Sequence, residues 1–435
     1  MTLGTSDPAV GRLFRTTFLF GLGCGISVAL TALYLDARGF SKQDIGTLAA
    51  WFASGIVLFA LPAGALMRAL SPGRVLPCAL AGYALSVAAF PFAEGYAQVA
   101  AVRFLDGACS VAIWVSSETL LLSRAGPSNK AHLTSLYAIY LALGYGLGPL
   151  LARAAASLPQ RWAFLAAAAI AAVAALHAGP LGRQAAGAAL PEGEGAAGGE
   201  GHASAGAGPR AAGSGGHASA GAGPRAAGSG ASAWQILWRI KIACFATFAY
   251  GYFQASVVLF LPLYLIESKG VARERTIVLP GLFCLGMLLC SNAVGRLGDR
   301  AGHLRVMRGL ALVGGSMILG FVYLDAYPLM CAAVFVAGAT LAAMSSVSLA
   351  LQGASVDARD LPRSNALYNL FYAAGILAGP PASSAIFGAR GGAAMLYHLA
   401  AIYAVFLAFS VAFRRDDPAR QARAPLPGAS QPFPA

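Results

Sequence analysis

The sequence contains little charge. Asp, Glu, Lys and Arg make up 11% of its 435 residues, whereas 58% are hydrophobic and the mean hydropathy is +0.67. A soluble globular chain has about 25% charged residues, because polar groups must cover its surface. These numbers exclude a soluble enzyme, a coiled coil and a collagen-like chain. We expect the surplus apolar surface to face lipid.

Patterns typical of disulfides, metal sites and phosphate loops are also missing. The seven cysteines form no C-x-x-C pair and fall in or beside apolar runs. We interpret them as small apolar residues of helices. Neither G-x-x-x-x-G-K-[ST] nor H-E-x-x-H occurs in the sequence. The sequence therefore predicts no metal and no cofactor.

What the sequence has in abundance is apolar runs. Each is close to the ~20 residues that an α-helix needs to cross a bilayer, and isolated strands cannot satisfy their backbone in lipid. The sequence predicts an all-α, polytopic membrane protein with twelve transmembrane helices in two six-helix halves. The predicted spans are 14–35, 45–66, 75–93, 96–122, 131–153, 161–178, 236–265, 276–296, 304–324, 327–351, 364–388 and 393–413.

A segment without apolar character separates the sixth and seventh runs. Residues 183–232 are almost entirely Gly, Ala, Ser and Pro, and the sequence GHASAGAGPRAAGSG at 201–215 recurs at 216–230. Such a segment has no apolar face to bury and is typical of a flexible linker; a partner-binding tail is the alternative. We therefore divide the chain into a first half at 1–182, a cytoplasmic linker at 183–232, a second half at 233–415 and a disordered cytoplasmic tail at 416–435.

The distribution of Lys and Arg predicts the orientation in the membrane. If both termini and the linker lie on one side, that side carries 21 of these residues and the opposite side carries 8. Because cytoplasmic loops are enriched in Lys and Arg, we expect both termini in the cytoplasm and the chain in the cytoplasmic (inner) membrane. The net charge of +13 then reflects the excess of Lys and Arg in the cytoplasmic loops. No nucleic-acid partner is predicted.

The two halves resemble each other at a constant offset of 231 residues. Gly107 matches Gly338, and Gly39 matches Gly270. Small residues allow helices to pack closely, and we expect this role for Gly144, Gly148, Pro149, Gly375, Gly379 and Pro380. Halves that are duplicated in parallel place a substrate between them, near the membrane midplane.

Three motifs resemble those of the major facilitator superfamily. Residues 295–302, GRLGDRAG, with His303 and Arg305, resemble its cytoplasmic signature G-x-L-x-D-R-x-G-R-R, whereas Arg68 replaces the acid in a degenerate first copy. Residues 103–107 resemble the R-x-x-x-G motif of bacterial proton-coupled members, and 144–149 resemble the core of the antiporter motif without its trailing Gly-Gly. The resemblance implies alternating access and proton coupling, with export favoured over uptake. It assigns a conformational-switch role to Gly295, Asp299, Arg300, Gly302 and Arg305.

The fourth predicted span carries three charges, Arg103, Asp106 and Glu118. A charge at the centre of a membrane helix costs about 2.5–3.5 kcal/mol on insertion scales and by default indicates function. At about 100° per residue these side chains share one stripe, which must face the bundle interior. Arg103 and Asp106 can pair, so that Asp106 or Glu118 could carry a proton while Arg103 responds to its charge. The alternative is a structural pair, with Glu118 reaching the cytoplasmic interface.

Further polar groups in apolar runs are candidates for a substrate cavity. Individually each is more often an interhelical hydrogen bond than a ligand contact. Together they predict an amphipathic cavity with aromatic walls, formed by Ser110, Trp114, Tyr137, Tyr140, Tyr250, Tyr252, Gln254, Asn292, Asn369 and Tyr372.

The sequence thus favours a monomeric secondary transporter, not an enzyme. It would move a small organic solute across the lipid bilayer by alternating access, coupled to protons. A proton-coupled uptake symporter is the first alternative. Two remote alternatives are a non-transporting membrane sensor and an intramembrane hydrolase, in which residues 314–316, Gly-Gly-Ser, would supply the nucleophile and His398 the base.

Overall fold

The computed structural model describes residues 7–124, 130–154, 157–187, 232–357 and 360–414. These residues form helices joined by short connections, and none of them lies in a strand. The duplicated repeat at 201–230 and the predicted tail at 416–435 lie outside the described residues.

Twelve long helices in the described residues confirm the predicted all-α fold. Ten of them, within the described part of the chain, are long and apolar enough to cross a membrane. The other two, α5 and α8, have 25 and 23 residues. The first half contains α1 (Pro8–Ala37), α2 (Lys42–Leu70), α3 (Pro72–Ala89, followed by a 3-10 turn at Phe90–Phe92), α4 (Tyr96–Arg124), α5 (Lys130–Ala154) and α6 (Gln160–Gly187). The second contains α7 (Ala233–Lys269), α8 (Leu279–Ala301), α9 (His303–Tyr323), α10 (Tyr327–Ala354), α11 (Leu361–Arg390) and α12 (Gly392–Ala412), with a single helical turn at Arg273–Thr276 before α8.

Local sequence signals set the ends of several helices. Ser41 begins α2 with a capping box to Asp44, and Ser232 begins α7 with a capping box to Gln235. Such reciprocal bonds satisfy backbone N–H groups that have no partner inside the helix. Gly302 separates α8 from α9 at a φ of +94°, which favours glycine.

The same packing order occurs in both halves. In the first half α1 packs on α5 and α6, α2 packs on α4, and α3 packs on α4 and α6. In the second half α7 packs on α11 and α12, α8 packs on α10, and α9 packs on α10 and α12. The halves meet through α2 with α11, α5 with α8, and α1 with α7. These interface pairs map onto each other when the halves are exchanged, as two-fold pseudosymmetry requires.

Backbone contacts repeat at the same offset of 231. A Cβ atom at Gly107 of α4 would collide with the Phe52 carbonyl of α2, and one at Gly338 of α10 would collide with the Phe283 carbonyl of α8. The predicted packing glycines lie at two other equivalent crossings. Gly144 and Gly148 lie where α5 crosses α1, and Gly375 and Gly379 lie where α11 crosses α7. Close helix approach is therefore built from matching positions in both halves.

Two local features differ from the spans expected from hydropathy. Helix α6 continues to Gly187, five residues into the segment interpreted as linker, because Arg183, Gln184 and the alanines after them are good helix formers. Helix α10 contains a π-helical turn at Gly338–Ala342, whereas α4 is regular at the equivalent positions. In that turn the Thr340 hydroxyl donates to the Val336 carbonyl at 2.7 Å.

Candidate functional site

Helix α4 brings the predicted charges together inside the first half. Arg103 and Asp106, one turn apart, form an ion pair in which both residues are buried. The Ser110 hydroxyl, one further turn along, lies 3.5 Å from Asp106 Oδ1 as a weak donor. The i, i+3, i+7 spacing of these three residues produces this arrangement on one helix face.

The ion pair lies where α4 crosses α2. The Arg103 guanidinium stands 4.4 Å from the centroid of the Phe52 ring, close enough for a cation–π interaction. Gly107 lets the two backbones approach at this crossing. Phe52 was not singled out from the sequence, although it matches Phe283 at the repeat offset.

Three helices besides α2 place polar groups near Asp106. Cys24 of α1, Tyr83 of α3 and Tyr145 of α5 are close enough to interact with the charge of its carboxylate. The Cys24 thiol donates to the Tyr145 hydroxyl at 3.5 Å. Asp106 therefore lies close to polar side chains of α1, α3 and α5 inside the first half.

The second half lacks these charges. The positions equivalent to Arg103 and Asp106 are Val334 and Ala337, which are buried. The π-helical turn of α10 begins directly after Ala337. Of the equivalent helices α4 and α10, only α4 carries buried charged side chains among the described residues.

Tyr137 occupies a position shared by both halves. Its hydroxyl lies 2.8 Å from the Ser117 hydroxyl, and the equivalent Tyr368 hydroxyl lies 2.7 Å from the Ser348 hydroxyl. Both pairs are buried and join α4 to α5 or α10 to α11. This symmetry indicates a structural tie. Trp114 is buried on the same stripe as Ser117, and Glu118 is half-buried.

Helices α7 and α11 bring three cavity candidates together. The Tyr372 hydroxyl donates to the Gln254 side-chain carbonyl at 2.8 Å, and the Tyr250 and Tyr372 rings stack with centroids 6.0 Å apart. Gln254 also lines a small cavity of about 10 Å³, room for about one water molecule, between α7, α8 and α10, whose other walls include Phe283 and Val334. The cluster thus combines one amide, two phenols and an apolar cavity.

The remaining candidates lie elsewhere. The Tyr252 hydroxyl is 2.8 Å from His398 Nε2 of α12, and Tyr140 stacks on Phe14 of α1. Asn369 is buried on α11, whereas the side chain of Asn292 is outside the described atoms. Ser316, the nucleophile of the hydrolase alternative, is exposed on α9, and its proposed base His398 is bonded to Tyr252.

The cytoplasmic signature lies around the turn between α8 and α9. Gly295 and Arg300 belong to the last turns of α8, Gly302 forms the turn, and the exposed Arg305 donates to the Ala301 carbonyl at 3.3 Å. The Asp299 side chain is outside the described atoms. Among the residues that the structure describes, no group of three or more His, Cys, Asp or Glu side chains could hold a metal ion.

Comparison with known families decides the identity of this helical bundle. The sequence profile of the Major Facilitator Superfamily matches residues 13–325 and, in a second alignment, residues 243–435. The chain belongs to the Major Facilitator Superfamily. This membership makes it a multi-pass membrane transporter, in agreement with the motifs at 103–107, 144–149 and 295–302.

Solved structures of superfamily members share the fold at low sequence identity. The nucleoside transporter NupG matches with a TM-score of 0.71 and 12% identity, covering 93% of this chain and 99% of its own. A bacterial homologue of the human lysosomal transporter Spinster, inward-facing and occupied, matches with a TM-score of 0.68 and 11% identity, covering 95% and 99%. The human organic anion transporter MFSD10 (TETRAN) matches with a TM-score of 0.62 and 16% identity, covering 93% and 100%. No curated protein matches the sequence significantly.

Proposed function

We propose that this superfamily member is a proton-coupled secondary transporter of a small organic solute, with export as its direction. The observation that carries the proposal is the buried Arg103–Asp106 pair on α4. An ion pair in the low-dielectric interior is expensive to desolvate. The hydrophobic packing of α2 and α4 does not need it, because α8 and α10 make the same crossing without charges.

The pair has the properties of a proton carrier. When Asp106 is ionised it neutralises Arg103; when it is protonated, Arg103 keeps the Phe52 ring as its partner. Both forms of the carboxyl therefore have a defined environment. Because Asp106 is buried, proton exchange with water requires the helices around it to move, which links protonation to conformational change.

The cluster of Tyr250, Gln254 and Tyr372 is the proposed solute site. The cavity beside this amide and these phenols is too small for a solute in this state, so the helices must separate to admit one. Polar groups that fix orientation next to apolar walls then suit an uncharged or weakly polar organic molecule. Among the structural relatives, one transports nucleosides and another organic anions. We therefore propose nucleosides as the first class of solute to test, with organic anions as the comparison class.

The proposed mechanism also divides the chain into two moving bodies. Residues 1–182 and 233–415 would rock against each other about the solute site, joined by the cytoplasmic segment 183–232. The repeated packing order and the interface of α2 with α11 and α5 with α8 support this division. The opposing ends of the molecule would open in turn.

Asp106→Asn tests the proton role. Reconstituted protein, with a pH-sensitive dye inside the vesicles and a panel of nucleosides and organic anions outside, reports solute-dependent proton flux. The variant should lose gradient-driven transport and keep solute exchange, because exchange needs no net proton release. The control Asp325→Asn removes an acid that is exposed at the surface beside Lys269, and it should leave driven transport unchanged. Driven transport that survives Asp106→Asn would refute the proposal.

Inverted membrane vesicles with an acidic interior separate export from uptake. An antiporter accumulates solute in them, because protons leave as solute enters. An uptake symporter instead drives preloaded solute outward together with the protons. Accumulation is the expected result, and outward movement would establish the symporter alternative.

A further inference from the structure

Four charged residues at one end of the molecule join the two halves. They are Asp36 at the end of α1, Lys42 at the start of α2, Glu267 at the end of α7 and Arg273 in the helical turn before α8. Lys42 binds Asp36 of its own half at 3.0 Å and also pairs with Glu267 of the other half. Arg273 lies 3.8 Å from Asp36 across the interface. We call these four residues the charge clasp.

The residues of the charge clasp occupy equivalent positions of the internal repeat. Asp36 and Glu267 are 231 residues apart, and so are Lys42 and Arg273. Each half therefore contributes one acid and one base from equivalent positions. The two acids lie in the last turn of the first helix of their half. Lys42 is the first residue of α2, and Arg273 begins the helical turn before α8.

Three surface ion pairs between described residues remain within one half. Lys269–Asp325, at the same end as the charge clasp, belongs to the second half. At the opposite end Asp7–Arg124 belongs to the first half and Arg239–Asp357 to the second. The charge clasp thus differs from these pairs in crossing the interface that must open during transport.

Close packing surrounds the charge clasp and closes this end. Gly46 of α2 lies against Ser384 and the Pro380 carbonyl of α11, and Gly281 of α8 lies against the Gly146 carbonyl of α5. The Lys42 ammonium is 5.7 Å from the centroid of the Phe387 ring of α11. The structure is therefore a state in which the halves touch at the end opposite to the chain termini.

We propose that the charge clasp is the latch that holds this end closed and that it exchanges partners when the end opens. Separation of the halves breaks Lys42–Glu267 and Arg273–Asp36. Lys42 retains Asp36, and by the symmetry of the repeat Arg273 can turn to Glu267. Each half then keeps a neutral pair, so that opening leaves no charge without a partner.

The exposure of the charge clasp suits a contact that must break in every cycle. Its side chains are between 18% and 42% exposed. Partly solvated ion pairs contribute little stability and are screened by salt. Such a latch shifts the balance between two states without locking one of them.

Hydrogen–deuterium exchange of the purified full-length protein in detergent tests the latch without a solute. Lys42→Gln and Arg273→Gln should each shift the population ratio of the two states by roughly two- to fivefold, the range expected for partly exposed pairs. Exchange should rise in peptides covering 36–46 and 267–281. It should fall at the start of α1 and the end of α10, because that end closes as the other opens. The matched control is Lys269→Gln, which removes a base at the same end that binds within one half.

Two further measurements separate a latch from a folding defect. Lys42→Arg keeps the charge and should behave like the wild type. Raising salt from about 0.1 M to about 1 M shortens the screening length from about 10 Å to about 3 Å, and should shift the unmodified protein in the same direction as Lys42→Gln. Unchanged exchange in Lys42→Gln, a rise without the reciprocal fall, or an equal effect of Lys269→Gln would each overturn the proposal. The outcome is independent of proton coupling, because neither proton gradient nor solute is present.

Discussion

Arg103 and Asp106 form an ion pair that both folding and transport must accommodate. Removing one partner of a buried pair leaves the other charge uncompensated, which costs about 3–5 kcal/mol. Asp106→Asn and Arg103→Gln should therefore each lower the thermal midpoint of the purified protein. The double variant should recover most of this loss, because no charge remains. Thermal unfolding of the three variants measures these effects.

The double variant also distinguishes structure from mechanism. If the pair carries the coupled proton, the double variant folds well but transports without response to a pH gradient. A stable double variant that still couples to protons would assign the coupling to another carboxylate, and Glu118 would be the next candidate. Gradient-driven flux and unfolding must therefore be measured on the same preparations.

Tyr137 and Tyr368 offer a matched pair of tyrosines. Each hydroxyl is bonded to an equivalent serine, Ser117 or Ser348. Loss of one such bond costs about 0.5–1.5 kcal/mol. Tyr137→Phe should lower stability by about this amount, and Tyr368→Phe by more, because the Tyr368 hydroxyl also donates to the Ser345 carbonyl at 2.9 Å. Both should leave solute affinity unchanged. If Tyr137→Phe alone weakened binding of a transported solute, Tyr137 would be a ligand of that solute and not a structural tie.

The candidate site was predictable along each helix but not across helices. The stripe of Arg103, Asp106 and Ser110 follows from the fixed angular spacing of side chains on one helix. The positions of Phe52 and Tyr145 relative to that stripe depend on helix packing, which local patterns do not encode. For the same reason the sequence did not distinguish Tyr250, which joins the α7–α11 cluster, from Tyr252, which binds His398.

At the scale of single helices, the crossing of α2 and α4 depends on Gly107. A Cβ atom there would collide with the Phe52 carbonyl, a backbone atom that cannot move without moving α2. Gly107→Ala should therefore destabilise the protein, although alanine is by about 1 kcal/mol the better helix former. Gly320→Ala in α9 is the control, because its Cβ would meet no atom. It should be neutral or slightly stabilising.

Helix positions were more predictable than helix irregularities. Hydropathy located all twelve long helices, because an apolar run long enough to cross a bilayer has few alternatives to a helix. The π-helical turn of α10 could not be found in this way, since Gly338–Ala342 has no sequence pattern that separates it from the regular turn in α4. The extension of α6 to Gly187 was missed because hydropathy does not register helix propensity.

At the scale of the whole molecule, the two halves are joined by a chain segment that the fold should not require. The repeat at 201–215 has no apolar group to bury, and loop closure depends only weakly on loop length. Deletion of one copy should leave expression, thermal midpoint and transport near wild type. A strong loss in any of the three would assign a partner or a structural role to the repeat.

The buried ion pair of α4 has no charged counterpart at the equivalent positions of α10, and this asymmetry has a thermodynamic consequence. The proposed proton site lies within the first half, whereas the α7–α11 cluster lies within the second, so that proton and solute share no ligand. Their coupling must then be an equilibrium linkage through the interface, and linkage is reciprocal: the factor by which protonation changes solute affinity equals the factor by which solute changes proton affinity. Such a carrier can move protons without solute, because a proton can bind the first half while the solute site of the second half is empty. The number of protons moved per solute would depend on how strongly the interface couples the two halves.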